Sequence, residues 1–226
     1  MSIMTKYYKA YDERYKTVHE KGELWFGKNP SEIVVKVIEK YGVSKQSDIL
    51  EIGCGEGRDA GFLLQNGYNV LATDVSKQAI TRCKELYKKH SQSFSTLDFV
   101  EEKLEQRFDF IYAIAVLHML VLDEDRRAFY RFIQEHLRAD GVALITTMGD
   151  GKTQMQTDCL RAFDIVERQF KGHKIEVVAT SCRMVTDAEL VAESEENSLD
   201  VIELGQTQIE EHFPCMSYAV VKKRCS

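Results

Sequence analysis

Between residues 48 and 148, short apolar runs alternate with segments in which apolar residues recur every three or four positions. The runs at 49–52, 69–73, 94–97, 108–114 and 142–147 are rich in Val, Ile, Leu, Phe and Ala and are flanked by Gly, Asp or Asn. That pattern predicts strands buried on both faces. The segments 58–66, 77–90 and 124–138 carry helical spacing between them. Strand and helix alternating at this rhythm predict an α/β fold, a doubly wound and mostly parallel sheet covered on both sides.

The flanking regions are patterned differently. Tyr7, Tyr8, Tyr11 and Tyr15 recur along one side of a helix expected over residues 6–21, and Asn29-Pro30-Ser31 reads as the start of another. Beyond residue 148 the spacing predicts a helix over 160–170, a strand over 175–180 and a helix capped by Thr186 or Asp187. Strands over 199–204 and 217–221 follow, close enough in sequence to pair antiparallel at the sheet edge. The chain reads as one domain with four parts: a helical cap at 1–45, a ligand-binding core at 46–148, an insert or lid at 149–185, and a C-terminal helix with edge strands at 186–226.

Composition narrows the partners. The formal charge is −6, with Lys and Arg interspersed among Asp and Glu, which disfavours a nucleic-acid surface. Six cysteines without a C-x-x-C pair and six histidines without metal-ligand spacing predict free thiols and no metal site. Neither a signal peptide nor an apolar run of about 18 residues is visible, so no membrane association and a cytoplasmic location are expected, as monomer or homodimer.

The candidate chemistry starts at ILEIGCGEGR, residues 49–58, where a buried strand meets three alternating glycines and then a helix. Gly53, Gly55 and Gly57 allow backbone to approach a ligand closely, and the helix offers unpaired N–H groups. A dinucleotide fingerprint would place its third glycine where Arg58 stands, which disfavours NAD, and no Lys-Ser or Lys-Thr follows for a phosphate loop. Asp74 ends the next strand, where a carboxylate accepts ribose hydroxyls or caps the following helix with Ser76. Asp98-Phe99 ends the third, an acid and a ring suited to adenine. His118 is the one histidine placed to orient or deprotonate a second reactant.

With EIGCGEGR, VLATD, LDF, FDFIYAIAVLHML and LRADGVALIT, residues 25–148 resemble the class I S-adenosylmethionine-dependent methyltransferases, and in particular the small-molecule branch containing tellurite-resistance and thiopurine methyltransferases. The resemblance implies a seven-stranded, Rossmann-like sheet with an antiparallel edge strand. It implies that Glu51, Gly53, Cys54, Gly55 and Arg58 surround the methionine part of the cofactor. Asp74 with Val75 would meet the ribose, Asp98 with Phe99 the adenine, and Ala113 and Ala115 would lie beneath the sulfonium. Trp25 and Tyr15 are expected to close over the cofactor, and Tyr11, Tyr15 and Arg183 to face a small methyl acceptor. The implied reaction is in-line displacement of the methyl group, leaving S-adenosylhomocysteine. A catalytically silent cofactor-binding subunit and an NAD-dependent oxidoreductase are the alternatives.

Overall fold

The computed structural model describes residues 6–27, 29–209 and 215–224; Cys225, one of the six cysteines expected to be free thiols, lies outside them. A short 3-10 turn, Tyr7–Lys9, leads into α1 (Ala10–Glu20), followed by α2 (Glu32–Lys40). Then come β1 (Asp48–Ile52), α3 (Arg58–Gln65), β2 (Asn69–Asp74), α4 (Lys77–Leu86), β3 (Phe94–Thr96) and β4 (Phe108–Ala113). The core closes with α5 (Asp123–His136) and β5 (Leu137–Met148).

Strands β1 to β5 pair in parallel, in the order β5-β4-β1-β2-β3. The chain therefore moves outward from β1 to β3 and returns to lay β4 on the other side of β1. Ligands bind at such a reversal, outside the C-terminal strand ends. Alternation along the strands sorts side chains into two layers. Leu50, Ile52 and Ile111 face Phe129 and Ile133 of α5, whereas Ile49, Phe110 and Tyr112 face Val34, Val37 and Leu63 of α2 and α3. Fully burying a side chain such as Phe129, 0% exposed, contributes about 1.5–3 kcal/mol.

The C-terminal part adds α6 (Asp187–Glu196), β10 (Leu199–Thr207) and β11 (Met216–Lys223). Thr186 caps α6 in a reciprocal box with Glu189. Strand β11 inserts antiparallel between β5 and β10, making a seven-stranded sheet with β10 at its edge. The burial patterns explain the order: Ala219, Val220 and Val221 are fully buried, as a central strand requires, while β10 alternates between partly buried and exposed residues.

The helix expected over 160–170 is not there. A 3-10 turn, Cys159–Arg161, leads instead to β7 (Ile165–Phe170), which forms a hairpin with β8 (His173–Val178). The turn residues Lys171 and Gly172 both have positive φ, 46° and 84°, the two-residue hairpin geometry that matches strand twist. Lys171-Gly172 between the two strands is the local signal for this turn. Two short strands, β6 (Met155–Gln156) and β9 (Arg183–Met184), pair beside it. The hairpin packs Phe170, Ile175 and Val177 on Val18 of α1 and on Trp25, so this segment and the N-terminal helix form one layer over the sheet's C-terminal edge.

Candidate active site

The glycine turn after β1 is built by strain and exclusion. Gly53 has φ +70°, and a Cβ there would overlap Val116 Cγ2, so only glycine fits between the turn and the segment after β4. Cys54 N–H donates to Thr73 O at 2.9 Å, tying the turn to β2. At the end of β2 the buried Asp74 accepts Gly55 N–H on Oδ2 and Ser76 N–H on Oδ1, each at 2.8 Å. Burial pushes its carboxyl up to about 6, against the lowering effect of those two N–H groups. Each oxygen keeps a further lone pair.

These residues floor a cleft with about 700 Å³ of empty space. Gly53, Asp74, Val75 and Phe99 come from the ends of β1, β2 and β3, and Ala115, Val116 and Met119 from beyond β4. Ala115 holds φ +59°, with its N–H given to Thr146 Oγ1 at 2.8 Å. Tyr8, Tyr11, Tyr15 and Phe26 cover the cleft from the N-terminal side. A smaller recess beside it is lined by Glu51, Cys54, Gly55, Glu56 and Arg58. Glu51 accepts Ala60 N–H and the Tyr112 hydroxyl, both at 3.0 Å; burial, and then Asp59, push its carboxyl well above the usual range. Arg58 pairs with Asp59 at 2.9 Å and donates to Ser31 Oγ.

A second cavity, with about 1140 Å³ of empty space, lies between the hairpin, α1 and the end of β5. It shares Tyr11, Phe26 and Met119 with the first cleft, so the two chambers meet there. His118 lines it and is 2% exposed. Burial, with Arg126 adding to it, pushes His118 down to about 4, so the ring is neutral near pH 7. Met148 N–H points at Nδ1 at 3.4 Å, which leaves the ring proton on Nε2.

Several candidates sit differently from the sequence expectation. Trp25 faces the second cavity, stacked 5.2 Å from Phe170, and its neighbour Phe26 lines the cleft instead. Tyr15, expected over the cofactor as well as against the acceptor, lines the cofactor-side cleft. Ala113 is 0% exposed and packs into the layer below α5, because alternation along β4 turns it from the cleft. Asp98 is turned to the N-terminal segment, paired with Lys9 at 2.8 Å and accepting from Tyr8 Oη at 3.2 Å. Arg183 donates to Asp123 and to Val121 O and does not line either of these two cavities.

Two acids were missed. Glu56 accepts Trp25 N–H at 2.9 Å and Phe26 N–H at 3.1 Å and contacts His19 Nε2 at 2.7 Å, so the glycine turn itself holds the covering segment. Asp12 of α1 accepts from Ser76 Oγ at 2.7 Å and from Gln78 N–H at 3.1 Å, joining α1 to the start of α4. Their partners are about 30 or more residues away, and no local spacing marks them.

Residues 50–143 match the family model described as a methyltransferase domain. The chain is 28% identical over 121 residues to a ubiquinone biosynthesis O-methyltransferase of Rickettsia typhi, covering 53% of this chain and 48% of that protein. Over 129 residues it is 28% identical to the probable S-adenosyl-L-methionine-dependent methyltransferase TehB of Haemophilus influenzae, covering 55% and 45%. Over these residues the chain is similar to S-adenosylmethionine-dependent methyltransferases. It spans about half the length of the curated relatives it matches. In fold the chain is similar to the 1,6-didemethyltoxoflavin-N1-methyltransferase of Burkholderia thailandensis, with TM-score 0.72 at 15% identity over 100% of this chain and 93% of the other. It is also similar to an S-adenosylmethionine-dependent methyltransferase from Clostridium acetobutylicum, TM-score 0.67 at 14% identity over 96% of this chain and 99% of the other. Among the described residues no helix is long and apolar enough to cross a membrane, and no cluster of His, Cys, Asp and Glu would hold a metal ion.

Proposed function

We propose that the protein binds S-adenosylmethionine in the cleft and recess and methylates a small molecule held in the second cavity. Asp74 carries this reading. Its two oxygens, each fixed by one backbone N–H, keep lone pairs for the two hydroxyls of a ribose. Val75 and Phe99 supply apolar surface for a base, and the acid and guanidinium of Glu51 and Arg58 suit the two ends of a zwitterionic amino acid. The group would supply a methyl on a sulfonium, an activated donor that needs only an in-line nucleophile.

The chain's own part is to position and to exclude water. Tyr11, Phe26 and Met119 form the shared wall through which an acceptor would reach the cleft. A side chain pushed down to about 4 is a weak base at neutral pH, so His118 serves by donating from Nε2 to orient the acceptor. The relative described as acting on 1,6-didemethyltoxoflavin in a matching fold supports a small acceptor.

Calorimetric titration with S-adenosylhomocysteine and with NAD tests the cofactor: the first binds and the second does not. Labelled S-adenosylmethionine is then offered with thiols, phenols, small amines, selenite and tellurite beside total RNA, DNA and protein. Label in small molecules is the expected result. Binding of NAD alone, or label in macromolecules alone, overturns the reading.

A further inference from the structure

The second cavity has a charge that its surroundings do not balance. Arg14 of α1 lines it while being only 3% exposed. Its Nε and Nη2 both donate to Val178 O, at 3.0 and 2.6 Å, and Tyr11 hydrogen-bonds it as well. The guanidinium lies 4.9 Å from the Tyr11 ring centre and 5.0 Å from that of Trp25, sandwiched by aromatic faces. Among the described residues no carboxylate pairs with it, although a buried guanidinium is costly without one. Five N–H groups are more than one carbonyl and one hydroxyl can accept.

A second guanidinium, that of Arg168 on β7, lines the same cavity from the hairpin. The two cations disfavour one another, and desolvation adds to the burden on Arg14. Among the described residues lining the cavity there is no Asp or Glu. Ser181 completes the arrangement: its hydroxyl oxygen is buried without a hydrogen-bond partner in a residue 2% exposed, and it lines the cavity too. An unpaired buried hydroxyl is costly, and a ligand accepting or donating there would relieve that cost.

We propose that the methyl acceptor is a planar aromatic carboxylate, its anionic end held by Arg14, Arg168 and Ser181 and its ring lying among Tyr11, Trp25 and Phe170. This rests on the methyltransferase reading and adds the acceptor's class to it. A guanidinium meets a carboxylate through two parallel N–H···O bonds, a match that a neutral amide or a compact cation does not make. The aromatic walls and the volume favour an organic ring over a bare inorganic oxyanion. The ring's far edge would then point at the shared wall of Tyr11, Phe26 and Met119, where the two cavities join.

The test is calorimetry on the full chain saturated with S-adenosylhomocysteine. The probes are 4-hydroxybenzoate, anthranilate and indole-3-acetate, each against its own carboxamide, with selenite as the inorganic arm. At least one carboxylate should bind about tenfold or more tighter than its amide, the scale of a charge-assisted bond pair. Arg168→Gln, a change at an exposed position, and Arg14→Lys should each shrink that ratio while leaving the affinity for S-adenosylhomocysteine unaltered. Carboxylates no tighter than their amides, selenite binding in place of all three, or a ratio untouched in both variants overturns the inference. Titration of S-adenosylhomocysteine alone reads the methyltransferase assignment separately. Its failure to bind overturns both, whereas its binding without any carboxylate preference overturns the acceptor class only.

Discussion

Asp74 Oδ2 accepts the Gly55 N–H at 2.8 Å, so the acid that ends β2 and the glycine turn that follows β1 are one unit. The bond spans two parallel strands and sets the spacing between backbone and carboxylate on the floor of the cleft. Its chemistry follows from burial: the carboxyl ionises at about 6, within reach of ordinary buffers.

Asp74 therefore predicts a pH dependence of cofactor binding. The hydroxyls of a ribose need the ionised acceptor, so affinity for S-adenosylhomocysteine should weaken as pH falls through about 6. Stability of the free protein moves the opposite way at this residue. A carboxyl raised in the fold contributes stability below its unfolded value near 3.8, and that contribution is lost as pH rises through about 6. Asp74→Asn should flatten the affinity profile, and Asp74→Ala should cost about 1.5–3 kcal/mol of binding. Calorimetry from pH 5 to 8 checks both; a flat profile in the unaltered protein removes Asp74 from the contact.

His118 predicts a stability profile. Its ring, held near 4 by burial and Arg126, is neutral in the fold where the unfolded chain begins to protonate near 6.5. Its contribution to stability is thus complete above 6.5 and is lost as pH falls toward 4. His118→Phe should lose less stability between pH 7 and 5 than the unaltered protein. Methyl transfer by the unaltered protein should show no ionisation of this ring between pH 6 and 8. An inflection near 6.5 that vanishes in the variant would return His118 to the role of a base.

Glu56 predicts a coupling between the turn and its cover. Removing its carboxylate in Glu56→Ala frees the Trp25 and Phe26 N–H groups and the contact to His19. The expected cost is about 1–3 kcal/mol of stability, together with faster release of S-adenosylhomocysteine as Phe26 leaves the cleft wall. Stopped-flow displacement and thermal unfolding measure the two effects, and an unchanged release rate would mean that Phe26 is held in place by packing alone.

Gly53 predicts intolerance to a single methyl group. At φ +70° a side chain costs about 1–2 kcal/mol, and the new Cβ of Gly53→Ala would also displace Val116 from the wall of the cleft. Both melting temperature and affinity for S-adenosylhomocysteine should drop. Retention of both in that variant would show that the turn relaxes freely.

The strand-and-helix rhythm of residues 48–148 was readable along the chain because each core element announces itself through local periodicity and a terminal glycine or acid. Gly53, Asp74 and Phe99 were found the same way: each stands at the end of a strand, and parallel pairing sends all those ends to one edge. Periodicity failed at 165–170, where a two-residue turn at Lys171 and Gly172 overrode helical spacing. It also gave no means to choose between Trp25 and Phe26, adjacent rings of which only Phe26 reaches the cofactor-side cleft. Glu56 with Phe26, Asp12 with Ser76, and Arg14 beside Arg168 are long-range pairings, decided by how α1 and the hairpin settle over the sheet. The chain's own order determined a cofactor-type floor, since that is made of consecutive strand ends; only tertiary packing decided the cover and the charge of the second cavity, since those depend on contacts between segments up to about 160 residues apart.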